Sequence, residues 1–528
     1  MKKILLYILL FFSAQTFGQT TFQKTFGGTN DDNAWDICMT NDSGYVMVGY
    51  TWSFGTPDVY LIKVNSGGSI QWTKTYGGTN IDAGGAVRQT SDSGFIIAGF
   101  SRSYSSGDYD AYLIKTDWVG NVLWKRLYGG VGQDGASSVE QTGDGGYILA
   151  GYTYSNSFGI NDVFLIKTDM NGDTLWTRIY GGTGGDPANC VVHTSDGGYI
   201  LAGWSQSYGL GNNGQACLLK IDANGDTVWT KTYGGAFTDA FRHVLETSDN
   251  GYIATGYTNI SSGGGSDIFV VRTNALGDTL WTRIYGSSAL DEQAEEIHLT
   301  SDGGYIIVGF EGSAVNPIIN NACLVKIDSV GNLLWARSFG DTLQDEGHSV
   351  LEVSDKGFIV AGLTSSFGSG GKDVYLIKTD SVGISGCHET NSNIIEGIKT
   401  ITVESQAPLI SSGTIVLNPN ISIGNGGAVT ILCPVTPSVN EITQEATVTV
   451  YPNPSNGIFK IEMEDVTGQM ADGDIEVYNS LGKLVFSSEL HTTTYTLDLR
   501  CKSKGIYFIK VQCGGKVSAQ KIVISPEG

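Results

Sequence analysis

The first 390 residues alternate short apolar runs with tight polar turns, and the runs come in groups of four. In one such group the runs are AGGAVRQT (83–90), GFIIAGF (94–100), DAYLIKTD (110–117) and NVLWKRLY (121–128). Each run shows period-two or continuous apolar patterning, which is typical of β-strands, and none has the period of a helix. Turns such as TSDSG and Asp/Asn-x-x-Gly are typical of connections between antiparallel strands. The pattern predicts one four-stranded sheet per group.

The group repeats along the chain with a nearly constant period. Six tryptophans occupy the same place in successive groups, at separations of 52, 52, 53, 52 and 54 residues: Trp72, Trp124, Trp176, Trp229, Trp281 and Trp335. Phe22 holds the equivalent place 50 residues before Trp72, which makes seven copies. Four strands every ~50 residues are typical of a propeller, in which each sheet covers the face of its neighbour. The sequence therefore predicts an all-β fold, with a seven-bladed β-propeller over residues 19–387 and a small C-terminal β-sandwich after it.

A glycine stands four residues before each tryptophan, and an Asp or Asn stands seven residues before it, as in Asp169, Gly172 and Trp176. Glycine supplies the positive φ of a tight turn, and the Asx side chain can bond its own turn. This spacing resembles the tryptophan-docking motif of quinoprotein-type propellers, in which the indole packs between adjacent blades. The resemblance implies that Phe22 and the six tryptophans fasten blade to blade and carry no chemistry.

The seventh copy lacks its outer strand. It runs from Asp373 to Asp380 and Gly383, but Cys387 stands where a tryptophan is expected. A spare outer strand exists at the other end of the repeats, as Thr20–Phe26. We predict that this N-terminal strand completes the last blade and closes the ring.

Positions that differ among the seven copies are candidates for ligand contact. Three residues before the Thr or Val that ends the first strand, every copy has Ile or Val, which indicates packing. Five residues before it, no residue type repeats, and the set is Trp35, Gly85, Ser137, Asn189, Arg242, Glu295 and His348. This position lies at the start of the innermost strand, near one mouth of the axial channel. We predict that Trp35, Asn189, Arg242, Glu295 and His348 bind a ligand there.

The longest connections in each copy join the second and third strands and reach the same mouth. They are rich in Tyr, Ser, Gly and Asn, as adaptable recognition loops are. Trp52, Tyr104 and Tyr208 are the predicted ligand contacts in these loops, and the alternative is that the loop aromatics stack against their own blade. The predicted function is binding of a glycan or a surface protein on this face. The alternatives are a polysaccharide-active enzyme, lyase or glycosidase, at the same mouth, and a scaffold without a small ligand.

Catalytic and metal chemistry have little support in the sequence. Four histidines fall on successive first strands, His193, His243, His298 and His348. Their offsets spread them over ~13 Å along the strands, whereas the ligands of a zinc ion lie about 2 Å from one point. We predict no metal site, no cofactor and no catalytic residue.

Charge and the N-terminus bear on partners and location. The net charge is −22 and the basic residues are scattered, which argues against nucleic acid and anionic membranes as partners. Lys2-Lys3, the apolar run Ile4–Phe12 and the small residues after it are typical of a signal peptide, here residues 1–18. That run is too short to span a bilayer and no other approaches 18 apolar residues, so we expect no membrane span in the mature chain.

Eight cysteines give no clear disulfide framework. Four fall inside predicted strands of the repeats and are predicted to be buried thiols: Cys38, Cys190, Cys217 and Cys323. Cys387 with Cys433 and Cys501 with Cys513 are the plausible pairs.

The repeat ends after Cys387, and residues 388–446 are predicted to be a linker with some strand content. From Thr447 the motifs PNP…G, YNSLGKLV, GIYFIKV and KIVI appear. Over Val448–Ile524 they strongly resemble the type A C-terminal sorting domain of proteins exported by the type IX secretion system of Bacteroidota. The resemblance implies that residues 447–528 are recognised by the type IX machinery. It also implies a secreted or outer cell-surface location reached through the periplasm.

Overall fold

A computed structural model describes residues 20–105, 107–209, 213–259, 265–287, 290–312, 319–399, 401–406, 409–411, 415–417, 422–424, 428–431, 447–464, 473–479, 484–490, 492, 494–500, 502–513 and 516–525. Every regular element over these residues is a β-strand, which confirms the predicted all-β class. The chain divides into two compact units, one ending at Ser438 and the other beginning at Val439.

Seven sheets make up the first unit. Six of them contain four strands that follow one another along the chain, and the seventh contains three such strands and β1. The chain opens with β1 (Phe22–Gly27), which joins the seventh sheet. Sheets 1 to 3 consist of β2 (Asp32–Met39), β3 (Tyr45–Thr51), β4 (Asp58–Val64), β5 (Ile70–Gly77); β6 (Asp82–Gln89), β7 (Phe95–Ser101), β8 (Asp110–Thr116), β9 (Val122–Gly129); β10 (Asp134–Gln141), β11 (Tyr147–Thr153), β12 (Asp162–Thr168) and β13 (Thr174–Gly181).

Sheets 4 to 7 have the same composition. Their strands are β14 (Ala188–His193), β15 (Tyr199–Ser205), β16 (Gln215–Ile221), β17 (Thr227–Gly234); β18 (Asp239–Glu246), β19 (Tyr252–Asn259), β20 (Ser266–Thr273), β21 (Thr279–Gly286); β22 (Glu292–Leu299), β23 (Tyr305–Gly312), β24 (Asn320–Ile327), β25 (Leu333–Phe339); and β26 (Asp345–Glu352), β27 (Phe358–Thr364), β28 (Asp373–Lys378) with β1. All neighbouring strands run antiparallel in chain order.

The N-terminal strand pairs with the last repeat, as predicted. In the register of β1 on β28, Phe22 lies opposite Lys378 and Phe26 lies opposite Val374. Both phenylalanines are fully buried. The two ends of the repeat region are thus joined within one sheet.

Sheets pack face to face, because their strands are apolar on both sides. One core cluster joins Ile148 and Leu165 of sheet 3 to Leu201 of sheet 4. Another joins Phe22 and Leu376 of sheet 7 to residues of sheet 1. The face of the last sheet therefore covers the first.

In every sheet a buried Lys or Arg side chain holds the turn between the first and second strands. In the turn of sheet 3, Asp144 accepts hydrogen bonds from the Thr142 hydroxyl at 2.5 Å and the Gly146 N–H at 3.0 Å. Lys167, buried on β12, brings its Nζ to 2.8 Å from the same carboxylate. The arrangement recurs in all seven sheets, with the pairs Lys63–Asp42, Lys115–Asp92, Lys167–Asp144, Lys220–Asp196, Arg272–Asp249, Lys326–Asp302 and Lys378–Asp355.

The segment predicted as a linker with some strand content supplies a fifth strand to every sheet. These strands are β29 (Glu389–Asn391), β30 (Ile395–Gly397), β31 (Thr402–Gln406), β32 (Leu409–Ser411), β33 (Ile415–Leu417), β34 (Ser422–Gly424) and β35 (Ala428–Ile431). They pair with the outer strands in reverse chain order, first with β25 and then with β21, β17, β13, β9, β5 and β1. We call residues 389–431 the return segment.

The second unit contains two sheets around one core. Its strands are β36 (Thr447–Tyr451), β37 (Ile458–Glu464), β38 (Gly473–Asn479), β39 (Leu484–Leu490), β40 (Thr494–Asp498), β41 (Gly505–Cys513) and β42 (Lys516–Ile524). The strand orders are β36-β37-β40 and β39-β38-β41-β42. Leu497 and Leu499 are fully buried in this core, as their alternation with polar residues predicts.

Candidate functional site

Contacts between neighbouring sheets repeat at the predicted tryptophans. Trp176 of sheet 3 lies against Gly225, which stands in the turn between the third and outer strands of sheet 4 with a φ of 82°. A Cβ at Gly225 would stand 3.2 Å from the indole, so glycine meets both the backbone and the packing requirement. The seven contacts are Trp72–Gly120, Trp124–Gly172, Trp176–Gly225, Trp229–Gly277, Trp281–Gly331, Trp335–Gly383 and Phe22–Gly68.

A buried tyrosine four residues after each of five tryptophans adds a hydrogen bond to the same glycine. The Tyr180 hydroxyl donates to the Gly225 carbonyl at 2.6 Å. Equivalent bonds run from Tyr76 to Gly120, Tyr128 to Gly172, Tyr233 to Gly277 and Tyr285 to Gly331. Sequence reasoning missed these tyrosines, although the recurring Tyr-Gly dipeptide was the signal for them.

First strands are linked by side chains that accept a backbone N–H from the next sheet. Asp36 Oδ2 accepts from Val87 N at 2.8 Å, and Glu296 Oε2 accepts from Val350 N at 2.9 Å. The Ser349 hydroxyl of sheet 7 accepts from Ile37 N of sheet 1 at 3.3 Å. The polar residues at this position therefore serve sheet-to-sheet contact.

A β-bulge interrupts the first strand of every sheet at the position where the copies differ. In sheet 3 the register passes from Ala136 directly to Ser138, which leaves Ser137 without a partner on β11. The same shift skips Trp35, Gly85, Asn189, Arg242, Glu295 and His348 in the other sheets. Because a bulge redirects the side chain of its extra residue, each of these residues can leave the packing pattern of its strand.

All seven bulged residues line one cavity of about 430 Å³. Phe100 and Tyr152 complete its aromatic lining. The structure thus brings together the five predicted ligand residues on first strands, Trp35, Asn189, Arg242, Glu295 and His348. That they bind a ligand stays a prediction.

The polar groups of this cavity are held by neighbours. Arg242 Nε lies 3.7 Å from Glu295 Oε2, with both side chains part exposed, and the guanidinium stands over the Tyr257 ring. The amide of Asn189 donates to the Phe241 carbonyl at 2.7 Å. Trp35 packs edge-on against Tyr50, with ring centroids 5.4 Å apart. The cavity wall therefore contains an aromatic ring, an amide and an ion pair.

His348 has a defined charge environment at the same cavity. Its Nδ1 is 2.8 Å from the Ala34 carbonyl and its Nε2 is 3.3 Å from Glu346 Oε2. Burial opposes the charged imidazolium, but the hydrogen bond to Glu346 and the nearby Glu295 carboxylate raise the pKa of His348 above its usual value.

A second cavity of about 220 Å³ borders the first and shares Arg88, Cys190, His243 and Glu296 with it. Among its lining residues are those one position before the end of each first strand: Cys38, Arg88, Glu140, Val192, Leu245, His298 and Leu351. This position also varies among the copies, so the same comparison of repeats could have found it.

Buried titratable groups stand where the two cavities meet. The Arg88 guanidinium bonds to Asp36. Burial, with a smaller effect of Asp36, raises the pKa of Glu296 to about 7. Burial, with the nearby Arg88 charge, lowers the pKa of His243 to about 3, so this imidazole is neutral.

Three predicted loop contacts lie away from the cavity. Tyr104 and Tyr208 donate their hydroxyls to the carbonyls of Gly77 and Gly181, which end outer strands. Tyr104 also packs against Tyr112. The Tyr104 ring thus stacks on its own sheet, as in the alternative, whereas both hydroxyls bond to the preceding sheet. Trp52 is 46% exposed.

Metal ligands do not gather among the described residues, which contain no cluster of three or more His, Cys, Asp or Glu side chains able to hold an ion. Of the four histidines on first strands, only His348 and His243 line the first cavity, while His298 lines the second.

The four strand cysteines Cys38, Cys190, Cys217 and Cys323 are free thiols. Cys38, Cys190 and Cys323 are buried, as predicted, and Cys217 is partly exposed. Burial raises the pKa of Cys38 and Cys190 to about 12, which makes them unreactive at neutral pH. Cys387 is disulfide-bonded. Its proposed partner Cys433 and the side chains of Cys501 and Cys513 lie outside the described residues.

Comparison with known proteins identifies one segment. Residues 449–525 match the family model of the secretion system C-terminal sorting domain. No curated protein matches the chain. The described part of the chain includes no helix that is both long and apolar enough to cross a bilayer. The sorting domain marks the chain for the type IX secretion machinery, which exports it to the cell surface or beyond.

Proposed function

We propose that the seven sheets close into a seven-bladed β-propeller with quinoprotein-type tryptophan docking. Three independent contacts between sheets 7 and 1 support closure. They are Phe22 on Gly68, the Ile37–Ser349 hydrogen bond and the apolar cluster shared by the two sheets. In this proposal the first strands surround an axial channel, and the two cavities are its upper and lower parts.

We further propose that the propeller is a secreted binding module whose ligand enters the upper cavity. One observation carries this proposal: the residue that differs in every copy is also the bulged residue, and all seven such residues line one cavity. A structural role alone would favour the same residue at all seven positions, as it does at the docking tryptophans.

The lining favours a neutral ligand rich in hydroxyl groups, which is the chemistry of a glycan end. Trp35 and Tyr152 offer aromatic surface, and Asn189 offers an amide. The Arg242–Glu295 pair offers donors and acceptors together, as hydroxyl groups require. A loop of a surface protein that presents Ser, Thr or Tyr is the second ligand of the same chemistry.

A lyase or glycosidase is the alternative, and Glu296 is the observation in its favour. Its pKa of about 7 suits a general acid or base. However, Glu296 Oε2 accepts the Val350 N–H and Asp36 accepts the Val87 N–H, so both carboxylates are engaged in contacts between sheets. The binding function therefore has the stronger support.

The chain is organised, in this proposal, as a signal peptide (1–18), a propeller (19–387), residues 388–446 and a sorting domain (447–528). Residues 388–446, first interpreted as a linker, brace the propeller through the return segment. The signal peptide takes the chain to the periplasm, from which the sorting domain directs it outward.

A glycan array probed with the mature chain tests the proposal, with Arg242→Ala as the comparison. We expect wild-type binding to a defined set of glycans and a loss of at least about tenfold in affinity in the variant. A parallel assay for reducing ends reports on catalysis. Equal binding by both proteins would contradict the assignment of the cavity, and release of reducing ends that is lost in Glu296→Gln would favour the enzyme.

A further inference from the structure

Each boundary between neighbouring sheets brings two polar side chains together, apart from the residues that line the binding cavity. One begins the first strand of a sheet and is an acid in all seven sheets: Asp32, Asp82, Asp134, Asp186, Asp239, Glu292 and Asp345. The other comes from the start of the third strand of the preceding sheet: in the same order, Asp373, Asp58, Asp110, Asp162, Gln215, Asp267 and Asn321. Five boundaries thus contain two acids, which we call the boundary carboxyl pairs.

A backbone hydrogen bond between the sheets positions the two acids. The N–H of Asp186 donates to the carbonyl of Asn161, the residue before Asp162, at 2.6 Å. The N–H groups of Asp32, Asp82 and Asp134 make the equivalent bond to the carbonyls of Lys372, Pro57 and Tyr109.

Side-chain oxygens of the two acids then converge above a glycine that ends the outer strand. A Cβ at Gly77 would lie 1.9 Å from Asp58 Oδ1 and 2.8 Å from Asp82 Oδ2. At Gly27 the corresponding distances are 1.9 Å to Asp373 Oδ1 and 2.6 Å to Asp32 Oδ2. The glycine therefore leaves the space in which oxygens of two sheets face each other.

Asp162 and Asp186 are hydrogen-bonded to each other across their boundary. An ionised carboxylate is an acceptor only, so a bond between two carboxyl groups requires a proton on one of them. This pair therefore holds a proton between sheets 3 and 4.

The donors around the pair show which acid holds that proton. Asp186 accepts from the Gly182 N–H at 2.8 Å and from the hydroxyls of Ser205 and Ser207. The donors to Asp162 in the described chain, apart from Asp186, are backbone N–H groups, and that of Phe158 lies 2.6 Å from its Oδ2. Because hydroxyl and N–H donors stabilise an ionised carboxylate, Asp186 is the carboxylate and Asp162 is the protonated acid.

The first-strand acid has the richer set of donors in other pairs too. Asp82 accepts from the Gly78 N–H and the Ser103 hydroxyl. Asp58 opposite it accepts from the Thr56 hydroxyl, at 3.3 Å. Asp32 and Asp134 likewise each accept one N–H and one serine hydroxyl, from Gly28 with Ser53 and from Gly130 with Ser155.

The pKa values of the acids follow the same division. Burial, with the nearby partner acid, raises the pKa of Asp162 to about 7 and the pKa of Asp58 and Asp373 to about 6. Burial also raises the pKa of Asp32 and Asp82, but their hydroxyl and N–H donors oppose that rise. The proton of each pair is therefore held best on the third strand.

The groups that face the pairs are mostly uncharged. Among the described residues, the charged group that acts on Asp58, Asp162 and Asp373 is the partner acid. Burial raises the pKa of Asp267 to about 6 and that of Glu292 to about 7; Lys399 opposes the rise at Asp267, while Asp291 adds to it there and Glu311 adds to it at Glu292. Burial also keeps five neighbouring phenols and thiols neutral, by raising the pKa of Tyr60, Tyr112, Tyr152, Cys217 and Cys323.

The two remaining boundaries have an amide in place of the third-strand acid. Asn321 faces Asp345, and Gln215 turns its Oε1 to Asp239 Oδ2, while the Lys399 ammonium bonds to Asp239 Oδ1 at 2.6 Å. An amide has nearly the shape of a protonated carboxylic acid and, like it, has no charge. All seven boundaries can therefore combine one carboxylate from a first strand with one uncharged group from a third strand.

We propose that each boundary carboxyl pair shares one proton in mildly acidic solution, and that these five protons hold neighbouring sheets together until a rise in pH removes them. Without the proton, two carboxylates face each other in a buried space, and their repulsion weakens the boundary. Acids whose folded-state pKa is raised stabilise the fold fully below the pKa of the unfolded chain, about 4, and this stabilisation is lost as the pH rises through about 6 to 7. The fold of the exported protein is thus tighter in mildly acidic surroundings than in alkaline ones.

The test uses the mature full-length chain and measures thermal unfolding between about pH 8.5 and 5, together with the protons released on unfolding at about pH 5.5. We expect Tm to rise by more than about 5 °C as the pH falls over this range. Asp162→Asn, which installs the amide found at two other boundaries, should release about one proton fewer than the wild type and show a smaller rise in Tm. Asp226→Asn changes an exposed turn carboxylate and should release as many protons as the wild type.

Two further variants separate a shared proton from a merely structural contact. Asp186→Asn should lower Tm more than Asp162→Asn does, because it removes the charge that the hydroxyl and N–H donors stabilise. Asn321→Asp creates a sixth pair and should release about one proton more than the wild type, which keeps the test decisive if Asp162→Asn fails to fold. Equal proton release by the wild type, Asp162→Asn and Asn321→Asp would overturn the proposal, and so would a Tm that does not change between pH 8.5 and 5.

Discussion

Two sets of residues in the same seven sheets differ in how strictly they repeat. On the outer strands, six tryptophans and Phe22 occupy one position and contact a glycine of the next sheet. On the first strands, the bulged position holds seven different residue types that line one cavity. Each of the seven sheet boundaries requires the same packing contact, and so the same type of residue is found at each of them. A ligand inside the cavity meets each sheet from a different side, and so each sheet can present a different group.

The comparison of the two positions assigns stability to the tryptophan position and ligand recognition to the bulged position. If it holds, changes at the repeating position lower the free energy of unfolding and leave ligand affinity alone, while changes at the bulged position do the reverse. The expected effects on stability decrease in the order in which the following changes are given.

Deletion of residues 19–26 from the mature chain should destabilise it most. β28 loses one of its two partners, β35 loses the strand it pairs with, and two fully buried phenylalanines leave the core. We expect a loss on the order of 5 kcal/mol or more in urea unfolding followed by tryptophan fluorescence. An unchanged midpoint would show that β1 does not join the ends of the repeat region.

Trp176→Ala should lower the free energy of unfolding by about 3 kcal/mol, because the indole that lies on Gly225 is removed. Ligand affinity should not change. Trp52→Ala, which removes an exposed loop tryptophan, is the control and should leave the melting temperature close to that of the wild type. A Trp176 variant that melts normally but binds weakly would reverse the comparison.

Acid should weaken the turns of the repeats. Although burial opposes ionisation, hydrogen bonds from the turn and the buried Lys or Arg hold the pKa at about 2 for Asp42, Asp144, Asp196, Asp249 and Asp302. Because these pKa values are below those of the unfolded chain, the stabilisation is present above pH ~4 and is lost as the pH falls towards 2.

The turn carboxylates are more than half exposed in most of these pairs, so solvent screening leaves ~0.5 kcal/mol for each and about 2–3 kcal/mol for the set. Melting temperatures between pH 5 and 2 measure it. A melting temperature that does not change between pH 5 and 2 would show that the turn ion pairs do not belong to the repeated contacts that stabilise the sheets.

Tyr180→Phe should cost about 1 kcal/mol, since the Gly225 carbonyl loses its buried donor while the ring stays. Thermal unfolding of this variant beside Trp176→Ala separates the hydrogen bond from the packing of the same sheet boundary. If Tyr180→Phe lowers the free energy of unfolding as much as Trp176→Ala does, the hydrogen bond of the hydroxyl contributes most to this sheet boundary.

Arg242→Ala should change stability least, by less than about 0.5 kcal/mol, because its pair with Glu295 is part exposed. Affinity for the ligand found on the glycan array should fall at least about tenfold. Glu295→Gln keeps the size of the side chain and should retain stability while weakening binding. If Arg242→Ala unfolds readily with intact affinity, the bulged position belongs to the scaffold.

Much of the fold follows from sequence because it repeats. The strand pattern, the turns and the pairing of Thr20–Phe26 with the last copy are visible as periodic features, and the positions that vary pointed to the cavity. The bulge was not visible, because skipping one residue leaves the apolar alternation on either side intact. Some strand content was predicted for the return segment, but its pairing with the sheets was missed, since its three- to five-residue strands pair with the edges of distant sheets and carry no local pattern.

The site was only partly predictable for a related reason. Glu296 directly follows its bulged residue and Arg88 follows its bulged residue by three positions, and the face that each side chain takes depends on that single skipped residue. Tyr104 and Tyr208 have the composition of recognition residues, but a backbone carbonyl within reach satisfies each hydroxyl. The identity of a loop residue does not reveal whether such an acceptor lies nearby.

The return segment determines which sheet edges the repeats leave open to other chains. Its strands occupy the outer edge of every sheet in reverse order and finish on β1, the strand with which the repeats began. Exposed sheet edges are where other chains add themselves and aggregation starts. The seven return strands cover the edges that the outer strands would otherwise present, so another chain that adds to an outer strand must first displace a return strand.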